Sequence, residues 1–129
     1  YDPIGDPVRR CYSIYPWAVG QGQAIELFSS FLNAAFARGI NTNSDKGLQH
    51  VVEAAGLNWE EAKTHLGETD WEEMVEENRL AMYDAGLWGV PSFRLLDENG
   101  EQVLALWGQD RLWLFAREIQ RQLARRQAD

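Results

Sequence analysis

Hydrophobic positions recur at helical spacing through most of the chain. In residues 21–38 apolar side chains return every three or four positions, and Gly39 follows at the place where a left-handed residue ends many helices. This spacing predicts an amphipathic helix. The same pattern, each time closed by a glycine, predicts three further helices, over residues 43–55, 59–66 and 69–85.

A shorter helix is predicted near the start of the chain. Pro7 suits the first position of a helix over residues 8–15, and Pro16 is expected to end it because proline lacks the amide hydrogen that continuation requires. Helix starts are indicated further on, where Asn43 or Ser44 can cap one helix and Asn58 can cap another.

The pattern changes after residue 86. Residues 92–96 and 102–107 alternate as strands around the turn-forming segment 97–100, and a last helix follows residues 108–110. An isolated hairpin is marginal in water and leaves unpaired strand edges. We therefore expect further strands to pair with it, supplied by an upstream βαβ segment or by a second copy of the chain in a homodimer.

Composition narrows the class of protein. With 129 residues the chain corresponds to one domain, and twelve basic against twenty acidic side chains leave a formal charge of −8. That acidity argues against binding nucleic acid or anionic membranes. The absence of a long apolar run and of a signal sequence leads us to expect a cytoplasmic protein. Because Cys11 is the single cysteine, the chain cannot form an internal disulfide or a CxxC pair. We expect Cys11 to be a buried, inert thiol. The sequence shows no Cys and His spacing typical of a zinc site, and we predict no metal site.

Two short segments carry candidate binding chemistry. Val90-Pro91 is an X-Pro bond ahead of a predicted strand, where a cis bond would turn the Val90 backbone toward an extended, peptide-like ligand. Gln109 and Asp110 open the last predicted helix, whose amides suit a carboxylate while the Asp110 side chain suits an ammonium group. An amino-acid head group needs both contacts.

Aromatic residues flank these segments. Trp88 precedes the proline and Trp107 precedes Gly108, so the two indoles are candidates for lining an aromatic substrate pocket, although large aromatics more often lie in cores. The remaining tryptophans stand at helical spacing, which predicts packing.

Residues 86–93, Gly-Leu-Trp-Gly-Val-Pro-Ser-Phe, and residues 107–112, Trp-Gly-Gln-Asp-Arg-Leu, resemble the C-terminal half of 2-hydroxychromene-2-carboxylate isomerases and kappa-class glutathione transferases. The resemblance implies an α/β, thioredoxin-like fold of the DsbA/kappa type, with residues 1–86 as an inserted helical domain and residues 87–129 as the C-terminal ββα part. It also implies glutathione as the cofactor. Val90 and Pro91 would then bind its cysteinyl part, and Gln109 and Asp110 its γ-glutamyl end.

The first βαβ unit of that family has no counterpart in this sequence. The family's catalytic serine, or the CxxC of its oxidoreductase relatives, lies at the first helix of that unit. We therefore expect the chain to be a fragment or one part of a larger assembly, with the catalytic residue upstream of Tyr1 and with little activity of its own.

Three functions remain open at this point. The first is a glutathione-dependent isomerase or transferase acting on an aromatic or hydrophobic electrophile. The second is a DsbA-like thiol-disulfide oxidoreductase with an upstream CxxC, and the third is a non-catalytic binding module. Gln109 and Asp110 favour the first, because an oxidoreductase that reads peptides needs no contact for a γ-glutamyl group.

Overall fold

The computed structural model describes residues 2–127. The chain divides into two compact units, Tyr1–Met74 and Val75–Asp129, called here the N-terminal and C-terminal units. The division falls within a helix, whereas the sequence predicts a boundary between residues 86 and 87. The assignment of residues 1–86 to an inserted helical domain and of residues 87–129 to the C-terminal part of a thioredoxin-like domain stays a prediction.

Helices form the N-terminal unit. Short turns of π-helix and 3-10 helix follow its second and fourth α-helices, and its last α-helix continues into the C-terminal unit. The elements are α1 (Asp6–Gly20), α2 (Ala24–Leu32), a π-helical turn (Asn33–Ala37), α3 (Asp45–Ala54), α4 (Trp59–Ala62), a 3-10 turn (Lys63–His65) and α5 (Asp70–Asp84).

The expected end of α1 at Pro16 is wrong. Pro16 lies inside the helix, which continues to Gly20, and the backbone N–H of Gln21 still donates to the Trp17 carbonyl at 3.0 Å. A proline removes one helical hydrogen bond. The last turn of α1 also buries Ala18 completely, which favours its continuation beyond the proline.

The predicted helix starts are confirmed for α3 and α4. The Ser44 hydroxyl accepts a hydrogen bond from the Gly47 backbone N–H at 3.1 Å, and the Asn58 amide oxygen accepts one from the Glu61 N–H at 3.1 Å. Each bond satisfies a backbone donor that has no partner within its helix. Of the two residues proposed to cap α3, the structure selects Ser44.

A hydrophobic core lies between the helices of the N-terminal unit. Its fully buried side chains include Ile14 of α1, Leu27 of α2, and Leu48, Val51 and Val52 of α3. Burying a side chain of this size stabilises a fold by about 1.5 to 3 kcal/mol. Leu48, Val51 and Val52 lie on the apolar face that helical spacing predicts for α3. In α2 the prediction is partly wrong, because Ile25 and Phe28 of the expected apolar face are 76% and 52% exposed.

The C-terminal unit contains the predicted hairpin. Strands β1 (Ser92–Leu96) and β2 (Gln102–Trp107) pair antiparallel around the turn at 97–100, which is closed where the Gly100 N–H donates to the Asp97 carbonyl at 3.2 Å. A 3-10 turn (Gln109–Arg111) leads into α6 (Leu112–Arg126). Gln109 and Asp110 thus lie one turn ahead of the α-helix that they were expected to open.

Apolar burial is sparse in the C-terminal unit. Within residues 75–127, Ala85 and Leu106 are the only buried hydrophobic residues, and α6 buries none. Trp113, expected to pack, is 65% exposed. The second edge of β1 pairs with no strand in the described range, so the sheet there has two strands. Of the helices described, none combines the length and apolar character needed to cross a bilayer.

Candidate functional site

The start of β1 and the end of β2 meet at one end of the hairpin. Ser92 pairs with Trp107 in the antiparallel register, so the residues before Ser92 and after Trp107 are neighbours. A hydrogen bond from the Gly108 N–H to the Pro91 carbonyl, 3.0 Å long, joins the two segments directly. The structure therefore brings together the two motifs that are well separated in sequence.

The Val90-Pro91 peptide bond is cis, an isomer that an X-Pro bond permits. Val90 is 83% exposed and Pro91 is also exposed. The Ser92 hydroxyl donates a hydrogen bond to the Gly89 carbonyl, which closes the turn that precedes β1. The residues expected to contact an extended ligand thus lie at the protein surface, next to the first residue of a strand.

The indoles of Trp88 and Trp107 pack against each other. Their ring centroids are 4.4 Å apart with an angle of 40° between planes, within the range of favourable aromatic pairs. Gly89 is required for this arrangement, because a Cβ at that position would lie 2.2 Å from Nε1 of Trp107. Trp88 is 68% exposed and Trp107 37%, so the pair forms an aromatic surface beside Val90 and not part of a core.

Gln109 and Asp110 are exposed on the 3-10 turn that follows β2. Gly108 adopts a positive φ of 101°, and the Asp110 Oδ1 atom lies 2.5 Å from the position that a Cβ of Gly108 would occupy. The carboxylate is therefore folded back toward Gly108, the residue bonded to Pro91. The Asp110 charge consequently lies close to the cis-proline segment.

A groove of about 370 Å³ lies between the last turns of α5 and strand β1. Val90 lines both this groove and the hairpin end. The sequence analysis did not identify the groove, although Asn78 and Met82 stand four residues apart on one face of α5. Its lining includes Asn78, Met82, Leu87, Val90, Phe93 and Arg94.

The remaining candidates for chemistry lie elsewhere. Cys11 belongs to the N-terminal unit and is buried, as expected, and this burial raises the pKa of its thiol to about 12. His50 contacts Arg38 at 3.2 Å, and His65 lies 2.8 Å from a Glu68 carboxylate oxygen. Across residues 2–127 we find no group of three metal-ligating side chains close enough to share an ion.

The sequence of this chain matches the model of a known protein family. A family model described as a DSBA-like thioredoxin domain matches residues 6–120, which includes most of both units. No curated protein and no solved structure matches the chain. The matched range contains the hairpin, the Trp88–Trp107 pair and the segments around Pro91 and Asp110.

Proposed function

The chain belongs to the DSBA-like thioredoxin domain family, and from that premise we propose that it acts in a glutathione-dependent isomerase or transferase resembling 2-hydroxychromene-2-carboxylate isomerase. Its substrate in this proposal is an aromatic or hydrophobic electrophile. The observation that carries the proposal is the hydrogen bond between Gly108 and Pro91, which places the Val90 backbone beside the Gln109-Asp110 turn.

The spacing suits a tripeptide. Val90 precedes Pro91 and Gln109 follows Gly108. The Gly108 nitrogen lies 3.0 Å from the Pro91 carbonyl oxygen, to which its N–H donates. An extended tripeptide spans about 10 Å, which is enough to reach from one segment to the other. One molecule of glutathione can therefore contact both.

The polar groups match the two ends of glutathione. The exposed Val90 backbone can pair with the cysteinyl part of the ligand as a neighbouring strand would. The Asp110 carboxylate can accept charge-assisted hydrogen bonds from the γ-glutamyl ammonium group, and backbone amides of the turn can donate to its carboxylate. Trp88 and Trp107 offer an apolar surface for the aromatic substrate.

The reaction in this proposal is reversible thiolate addition. The glutathione sulfur forms a bond to an electrophilic carbon, a double bond of the substrate becomes single and rotates, and elimination of the same thiolate restores the double bond in the isomerised product. No net oxidation or reduction occurs. Lowering the pKa of the glutathione thiol is the main task of catalysis here.

The group that stabilises the thiolate is expected on a partner segment. Cys11 is buried in the N-terminal unit, and the candidate residues Val90 and Pro91 contribute backbone contacts only. Within residues 2–127 one edge of β1 pairs with no strand, and the C-terminal unit buries few apolar side chains; both features support the addition of another strand at this edge. A βαβ segment, or a second copy of the chain, would supply it.

Calorimetric titration with reduced glutathione tests the proposal. We expect wild type to bind weakly and Asp110→Ala to bind at least about tenfold less tightly, since a hydrogen bond to a charged group is worth about 1.5 to 3 kcal/mol. Asp84→Ala removes an exposed carboxylate of the same unit and should leave affinity unchanged. Equal affinity of wild type and Asp110→Ala, or no binding by wild type, would contradict the proposal.

A thiol-disulfide oxidoreductase is the second candidate. The groove along β1, continuous with the exposed Val90, favours it because an extended peptide could lie there beside the strand. The reaction would need a CxxC pair from a partner, since Cys11 is the sole cysteine. This alternative is supported if an extended peptide without a thiol binds in the groove. Val90→Pro should then lower the affinity for that peptide, and Asp110→Ala should not. A non-catalytic binding module would bind a partner strand and would not need glutathione.

A further inference from the structure

A second pocket lies in the N-terminal unit. It has a volume of about 210 Å³ and opens between α1 and α2. Cys11 and Phe31, each 7% exposed, lie on its buried side. Ile4, Phe28 and Phe36 also line it, and they remain 76%, 52% and 72% exposed. The pocket thus has a buried floor and an apolar rim that is open to solvent.

The lining is apolar. Within the described residues no Asp, Glu, Lys, Arg or His side chain lines the pocket, and its ionisable groups are Cys11, Tyr12 and Tyr15. Burial raises the pKa of Cys11 to about 12, so the thiol stays uncharged at neutral pH. An ion that entered would lose hydration without meeting an opposite charge. The chemistry therefore selects an uncharged occupant.

The size of the pocket and its aromatic lining favour flat rings. An apolar cavity of about 150 Å³ can hold benzene, and this pocket of about 210 Å³ leaves room for one or two fused rings. Its lining contributes five aromatic rings, which can contact an aromatic guest by edge or by face. They belong to Tyr12, Tyr15, Phe28, Phe31 and Phe36.

Neighbouring contacts position the walls before any ligand arrives. The ring of Tyr12 packs against Trp71, with centroids 5.2 Å apart. Phe36 lies on the π-helical turn, which is closed by a hydrogen bond from the Arg38 N–H to the Asn33 carbonyl at 3.0 Å. Single π-helical turns occur often at functional sites. A preformed wall lowers the ordering cost of binding.

We propose that this pocket binds a small, uncharged aromatic molecule of one or two rings. The site goes beyond the proposed function, because it uses neither the hairpin nor glutathione. No covalent step is involved.

Calorimetric titration of the full chain with 2-naphthol tests the proposal, with 2-naphthoate as the anionic counterpart. We expect 2-naphthol to bind one to one and 2-naphthoate to bind at least about tenfold less tightly, because its carboxylate has no partner in the pocket. Phe28→Glu and Phe36→Glu should each weaken 2-naphthol binding by about tenfold or more. Both phenylalanines are exposed, so either variant should fold, and circular dichroism checks this.

Ile25→Glu is the matched control. Ile25 is 76% exposed on α2 and does not line the pocket, so this variant should bind 2-naphthol as wild type does. Absence of 2-naphthol binding by wild type would overturn the proposal, as would an equal loss in Ile25→Glu. Sedimentation equilibrium gives a third outcome. If wild type is a dimer and Phe28→Glu is a monomer, the proposal of a small aromatic ligand is overturned, because a second copy of the chain then covers this surface.

Discussion

Replacing Gly89 by alanine should separate the two indoles of the candidate site. The new Cβ would lie 2.2 Å from Nε1 of Trp107 and 2.7 Å from Cε2, whereas ordinary contact begins near 3.4 Å. One of the two groups must therefore move by roughly 1.2 Å. The Ser92 hydroxyl holds the Gly89 carbonyl, so we expect the Trp107 ring to move and not the backbone.

The expected cost follows from this displacement. Inserting a methyl group where it does not fit costs about 1 to 3 kcal/mol, and the partial exposure of Trp107 places this site near the lower value. The larger change concerns the contact with Trp88. An aromatic pair contributes about 0.5 to 1.5 kcal/mol beyond its buried area. The coupling free energy between Trp88 and Trp107 should therefore fall close to zero in Gly89→Ala.

Two measurements check the prediction. A double-mutant cycle of Trp88→Ala and Trp107→Ala, run by urea unfolding in the wild-type and Gly89→Ala backgrounds, gives the coupling free energy in each. Circular dichroism should show an exciton signal from the closely packed indoles that weakens in Gly89→Ala. Gly20→Ala is the control, since no atom outside its chain neighbours and its own helix backbone lies within 4 Å of its Cβ position. An unchanged coupling energy and an unchanged spectrum in Gly89→Ala would refute the reasoning.

Further predictions concern the N-terminal unit, with the free energy of unfolding in urea as the measurement. Leu48→Ala removes a fully buried side chain and should lower this free energy by about 2 to 5 kcal/mol, against less than about 0.5 for the exposed Ile25→Ala. Gly47→Ala should destabilise the chain although alanine favours helix by about 1 kcal/mol, because its Cβ would lie 2.0 Å from the Asn41 carbonyl oxygen; a stabilised variant would contradict that contact. The buried thiol of Cys11 keeps its proton up to a pKa of about 12, whereas the unfolded thiol ionises near 9.0. The stabilisation from the neutral thiol is therefore fully present below pH 9 and lost as pH rises toward 12, so wild type should lose stability there faster than Cys11→Ala. Parallel pH profiles would argue against burial of the thiol.

Local chemistry made most secondary structure predictable. Ser44 and Asn58 cap helices through contacts three residues away, and the alternation around residues 97–100 produces a hairpin with the expected strands. Such signals act between neighbours in sequence, so they can be read without knowing the fold. The helix end predicted at Pro16 is wrong, because burial of Ala18 in the following turn favours continuation and depends on packing that no local signal specifies.

The candidate site could be predicted in part. Val90, Pro91, Gln109 and Asp110 were nominated from backbone chemistry and resemblance, and the structure brings their segments together. Their roles toward a ligand stay predictions. The groove along β1 was missed because it depends on the approach of a helix to a strand edge, which no local pattern specifies.

By itself, the sequence determined the order of helices and strands, the Asn58 cap, the turn of the hairpin and the segments with binding chemistry, because these depend on interactions over a few residues. Only the tertiary structure decided that Trp88 contacts Trp107 over Gly89, that Gly108 is hydrogen-bonded to Pro91, and that aromatic side chains of α1 and α2 line one pocket. The physical reason is the distance along the chain. Contacts between residues far apart in sequence depend on strand register and helix packing, which are set by the whole core and not by any one segment.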